Sequence, residues 1–139
     1  MRIEILDLSP ATETGEGPMV TFRGPSGQAW AQWCGSEMPQ VGALVDVEVD
    51  VPDEIARWAT VDGPATVASD TPRSPVRIRG VVATVGEDSV VAVRVGADVI
   101  LVEFSEPTNS VRPGQVDKPR VGDAVEFTTP QIDIYPYSV

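Results

Sequence analysis

Residues 45–51 read VDVEVDV, with valine at every odd position and Asp46, Glu48 and Asp50 between them. Successive side chains of an extended strand point to opposite faces, so this alternation puts an apolar row on one face and an acidic row on the other. A helix with one buried face would instead repeat its apolar residues every three to four positions. The pattern recurs in 19–23, 27–34, 76–85, 89–95, 99–105, 121–129 and 131–137. Between these segments lie Gly and Pro, 12 and 13 of the 139 residues, scattered as turn formers. Such a chain is expected to be all-β, built from short strands with almost no helix. The one helix-like stretch, 53–60 (DEIARWAT), opens on two acids that suit a helix start.

The chain also resembles itself. PQVGALVDVEV at 39–49 aligns with PRVGDAVEFTT at 119–129, an offset of 80. MVTFR at 19–23 aligns with VVAVR at 90–94, and QWC at 32–34 with EFS at 103–105, both at an offset of 71. RIEIL at 2–6 aligns with RIRGV at 77–81 at 75. The order is the same in both halves, and the change of offset places an insertion within 106–120. Under this alignment 53–60 corresponds to the alternating 131–137, so it is expected to be a strand. Each half then holds five strands. The expected organisation is a first small β-barrel over 1–61, a linker over 62–74 (DGPATVASDTPRS, aperiodic) and a second small barrel over 75–139. Barrels this small are marginal alone, so the two are expected to pack together.

Five short strands with a longer break between the third and fourth resemble the OB-fold, a partly open five-stranded barrel. The resemblance spans the strand pattern of both halves but lacks the helix that often fills that break. Residues 35–40 are too few for one, and 106–120 carry Pro107, Pro113 and Pro119. An SH3-like small barrel is the close competitor, and a single ten-stranded sandwich the third arrangement.

Alternation assigns the faces. The inward set is Ile3, Ile5, Val20, Phe22, Trp33, Val45, Val47, Ile78, Val91, Val93, Ile100, Val102, Phe104, Val125 and Phe127. Trp33 aligns with Phe104, which turns Trp30 outward on the same strand. Trp30, Arg23, Gln28, Gln32 and Met19 are then expected on one outer face of the first barrel. An accessible indole beside a guanidinium and two amides offers stacking area and directional hydrogen bonds, as a binding face does. The competing reading packs Trp30 under a loop or against the other barrel. In the second half Arg77, Arg79 and Arg94 point outward as a basic patch. Pairing with Glu103 or with the acidic first half accounts for them most simply, and a phosphate contact is the alternative.

Charge and composition exclude whole classes of chemistry. There is no His, so histidine cannot serve as base, nucleophile or metal ligand. Cys34 is the only cysteine, so no intramolecular disulfide forms and no His–Cys pair exists. Phosphate-loop, dinucleotide-binding and nucleophile-elbow motifs are absent from the sequence. Asp46, Glu48 and Asp50 lie about 7 Å apart along a strand, too far to share one ion, and read as a solvated face. No enzyme activity, cofactor or metal is expected. No apolar run is long enough for a membrane span or a secretory leader, so a cytoplasmic protein is expected. The formal charge is −11, with residues 1–70 carrying 3 basic and 12 acidic groups. An acidic surface steers toward basic partners. The leading expectation is a noncatalytic binding protein that recognises a protein partner through its barrel faces, with a basic partner favoured by the charge, as an acidic inhibitor or immunity-type protein would. A single-stranded nucleic-acid binder using Trp30, Arg77, Arg79 and Arg94 is the alternative, and a small-ligand or saccharide module the third.

Overall fold

The structure, a computed structural model, describes residues 1–10, 17–105 and 119–137. It contains eleven strands and, among the described residues, no helix: β1 (Arg2–Ser9), β2 (Met19–Gly24), β3 (Gly27–Trp33), β4 (Leu44–Asp50), β5 (Ala59–Thr60), β6 (Thr66–Ala68), β7 (Val76–Val85), β8 (Val90–Val95), β9 (Asp98–Glu103), β10 (Ala124–Thr129) and β11 (Asp133–Pro136). The all-β expectation holds. Most of the 106–120 insertion lies outside the described residues.

The strands form two sheets. One is a closed barrel in the order β1-β2-β3-β11-β4, and the other is a six-stranded sheet in the order β5-β10-β7-β8-β9 with β6 on β7. The division at 61 and 75 is therefore corrected. The last strand of the chain, β11, closes the first barrel, parallel to β3 and antiparallel to β4. Residues of the first half complete the other sheet: Ala59–Thr60 pair with β10, and Ile55 makes a parallel bridge to Phe104. The second sheet is open, so two closed barrels do not form. Of the strand expected over 53–60, only Ala59–Thr60 and the single bridge at Ile55 are paired. An internal alignment carries no information on sheet membership, so it leaves open which sheet a strand joins.

Backbone hydrogen bonds repeat between the halves. Cys34 N donates to Ile134 O at 2.9 Å, and Ser105 N donates to Ile55 O at 2.9 Å. Gly42 N donates to Ile5 O at 2.7 Å and Gly122 N to Val82 O at 2.8 Å, both glycines at positive φ. The donors sit at the 71- and 80-residue offsets of the sequence matches, whereas the acceptors Ile5 and Val82 lie 77 apart and Ile134 and Ile55 come in the reverse order.

The stretch 62–74 is also corrected. Its Thr66–Ala68 form β6, which pairs with β7 on one edge. On the other side Val67 N donates to Ser26 O and Ser69 N to Gln28 O, so β6 joins the two sheets. Three residues are too few to show alternation in the sequence. Gly27 permits the junction. Its φ is +139°, and a Cβ there would stand 2.8 Å from the Val67 carbonyl oxygen.

All of the expected inward set is buried except Val45, which is half-buried at the barrel end. The buried residues of both sheets form one continuous cluster. The contact is reinforced where the Met1 amino group lies 2.9 Å from Asp98 and donates to Val47 O.

Candidate functional site

The face expected around Trp30 does not form. Cross-strand pairs on β2 and β3 are Met19 with Gln32, Thr21 with Trp30, and Arg23 with Gln28. Trp30 sits in the middle, but it is only 7% exposed. Residues 69–74 run across it: Trp30 N donates to Ser69 Oγ and the indole Nε1 donates to Ser74 O. A pocket of only about 40 Å³ remains beside it. A large apolar ring left outside a small barrel gains more from a covering loop than from water, which is the physical reason for the correction. Arg23 and Gln28 stay exposed on one side of the covered indole, with Arg23 3.9 Å from Glu4. Gln32 and Met19 are half-buried on the other side. Four residues of strand, roughly 13 Å, separate Arg23 from Gln32.

The expected basic patch is largely taken up internally. Arg79 Nε and Nη2 both donate to Glu126 Oε2, at 3.2 and 3.0 Å, and Arg77 Nε is 3.7 Å from Glu126 Oε1. The partner is thus Glu126, directly across from Arg79 on β10, rather than Glu103. Arg94 is exposed on β8, apart from that pair.

A different face emerges where β11 lies between β3 and β4. The outward residues are Gln32 and Cys34 at the end of β3, Asp133, Tyr135 and Tyr137 on and after β11, and Asp46, Glu48 and Asp50 on β4. Asp133 stands directly opposite Asp50, and Tyr135 opposite Glu48. Like charges across an antiparallel pair repel. No ion pair to Asp46, Glu48, Asp50 or Asp133 forms among the described residues. Asp133 Oδ1 instead accepts from Gln131 Nε2 at 2.9 Å, and the same nitrogen lies 2.7 Å from Gln32 Oε1. Partial burial, then Asp133 and Glu48, hold the Asp50 carboxyl above the usual carboxylate range. Burial and Asp133 also push the Cys34 thiol up, against a hydrogen bond with Tyr135 that lowers it. The Cys34 thiol is therefore kept protonated, the poor form for a nucleophile. Among the described residues no three acidic or thiol side chains converge as a metal site requires.

Next to this acidic face opens a groove of about 480 Å³, lined by Trp33, Met38, Pro39, Val45, Tyr135 and Tyr137 among others. Its floor is fixed: Trp33 Nε1 donates to Glu37 O at 2.8 Å, and the indole packs against Gly35. Its wall is open, with Tyr135 43% and Tyr137 58% exposed. Tyr135 in β11 and Tyr137 just after it stand two residues apart, and that spacing is present in the sequence. Its meaning depends on the strand's neighbours. Placed in the second half, Tyr135 has no relation to Cys34, Gln32 or Asp50; placed in the first barrel, it joins them.

No family model matches the chain, and comparison with curated proteins and with solved structures gives no match either.

Proposed function

We propose that the protein is a noncatalytic binding protein that recognises a basic segment of a partner protein on the β3–β11–β4 face of its closed barrel. One observation carries the reading: Asp50 and Asp133 oppose each other with no ion pair to either among the described residues, beside a groove walled by exposed tyrosines. A partner's arginine or lysine relieves that repulsion, and the rings supply rigid contact area of the kind enriched at interface centres. The overall charge of −11 adds long-range attraction to basic proteins. An acidic inhibitor of a basic protein is the biological role that fits this chemistry. The nucleic-acid alternative has less support, because Trp30 is covered and Arg77 and Arg79 are held by Glu126.

The architecture that builds this face is, in our reading, a tandem duplication in which the fifth strands are exchanged. The repeated hydrogen bonds, whose donors Cys34 and Ser105 and Gly42 and Gly122 sit at the offsets of the sequence matches, support it. The closed barrel places its fifth strand between the third and fourth and parallel to the third, which favours an OB-like over an SH3-like description.

The test is an anisotropy titration of a fluorescent arginine-rich peptide and of a single-stranded oligonucleotide. Saturable peptide binding that weakens tenfold or more in the Tyr135→Ala/Asp133→Asn double variant is expected. Tight oligonucleotide binding, or peptide binding indifferent to both substitutions, contradicts the reading.

A further inference from the structure

The outer face of the β8–β9 hairpin is apolar and uncovered. Inward residues Val91, Val93, Ile100 and Val102 are buried in the core, so the intervening side chains point outward. Of these, Val99 is 56% and Leu101 58% exposed, and Val90 and Ala92 lie half-buried beside them. Cross-strand pairing sets the pattern: Arg94 is opposite Val99, Ala92 opposite Leu101, and Val90 opposite Glu103. The apolar strip therefore carries a cation at one end and an anion at the other. Arg94 and Glu103 are both exposed, and neither makes an ion pair among the described residues. Val99 and Leu101 share one face of β9 with Val90 and Ala92 beside them, and contiguous apolar surface of this kind marks contact sites.

We infer that this face binds a second copy of the chain, sheet to sheet, about a twofold axis. The charge pattern selects that occupant. A twofold axis lying in the plane of the face and crossing the strands reverses their direction. It lays the Arg94 end of one copy over the Glu103 end of the other. An isologous contact makes every pairing twice, so both cations meet anions and the valine and leucine side chains meet in the middle. The strip spans four residues of two strands, roughly 13 Å, with its neighbour β7 extending the width. That is below the ~800 Å² per partner of a standard interface, so the dimer is weak and concentration-dependent. The face lies on the second sheet, and the inference does not depend on the tyrosine groove.

Sedimentation velocity on the full chain across a concentration series tests it. The expected result is a mass rising from 14.8 kDa toward twice that value as concentration rises. Leu101→Lys, an exposed change that leaves the thermal transition in place, should abolish the rise. Arg94→Glu and Glu103→Arg should each weaken dimerisation tenfold or more, and the two together should restore it. A strictly monomeric protein at every concentration overturns the inference. Dimerisation that survives Leu101→Lys, or a double variant as weak as the singles, overturns it as well.

Discussion

Replacing Ile134 by Ala should weaken both sheets, although Ile134 lies in only one. Ile134 is fully buried in β11, paired with Trp33 of β3 and Val49 of β4. The change removes three carbons, worth about 2.4 kcal/mol at ~0.8 kcal/mol per buried methylene. A cavity in the closed barrel adds to that, since β3 and β4 are held apart by the remaining backbone of β11, giving about 3–4 kcal/mol in all. Against a typical stability of roughly 5–15 kcal/mol this is a large fraction, and it lowers the melting temperature by roughly 10 °C. The core is continuous and β10 leads directly into β11, so loosening β11 should propagate. Chemical denaturation followed by far-UV circular dichroism, with native-state hydrogen exchange as the residue-level probe, reads the effect. Amides of β7 and β8, in the other sheet, should lose protection together with those of β3 and β4. Unchanged protection in β7 and β8 while the barrel opens would show two independent units and refute the reasoning, as would a loss below about 1 kcal/mol.

Three further outcomes are expected. Gly27→Ala forces a Cβ against the Val67 carbonyl at a backbone angle that other residues rarely adopt, and should cost about 2 kcal/mol or more by denaturant titration. Trp30→Ala should cost about 3–5 kcal/mol of stability while leaving the affinity for a basic peptide unchanged, because the indole lies under residues 69–74. The third concerns pH. Asp50 has a folded pKa raised above its unfolded value, so its native form binds a proton more readily than the unfolded chain does. Its contribution then falls as pH rises through the range from the ordinary carboxylate pKa to the raised one. Asp133→Asn removes part of that repulsion, so thermal melts should show it more stable than the parent at pH 7, with the gap closing once the pH drops below the usual carboxylate range.

How much of this was legible in the sequence follows from what alternation can and cannot encode. Period 2 fixes which side of a strand faces the core, and Ile3, Phe22, Ile78, Val93 and Phe127 are all buried as the pattern requires. The matched segments also share a local backbone feature, the hydrogen bonds donated by Cys34 N and Ser105 N. Neither signal encodes sheet membership. β11 and the 55–60 segment carry similar patterns and could each serve either slot, so the juxtaposition of Tyr135 with Cys34 and of Asp133 with Asp50 had no local signature. At Trp30 the alternation leaves an accessible ring and a ring packed under a loop both open, and the structure shows the second. Alternation says that the indole leaves the barrel interior, but not that an aperiodic segment rich in Ser, Thr and Pro then lies over it.

The position of β11 beside β3 creates both the closed barrel and the acidic tyrosine face, and it can be measured directly. Cys34 is the chain's only thiol, and it lines the same groove as Tyr135. In the Tyr135→Cys variant, a short thiol-to-thiol bridging reagent should join positions 34 and 135 within one chain. Peptide mass spectrometry should find that cross-link in material that runs as a monomer under denaturing conditions. Failure to bridge the two thiols in the folded protein, or bridging only between chains, would contradict the placement of β11 and with it the proposed binding face.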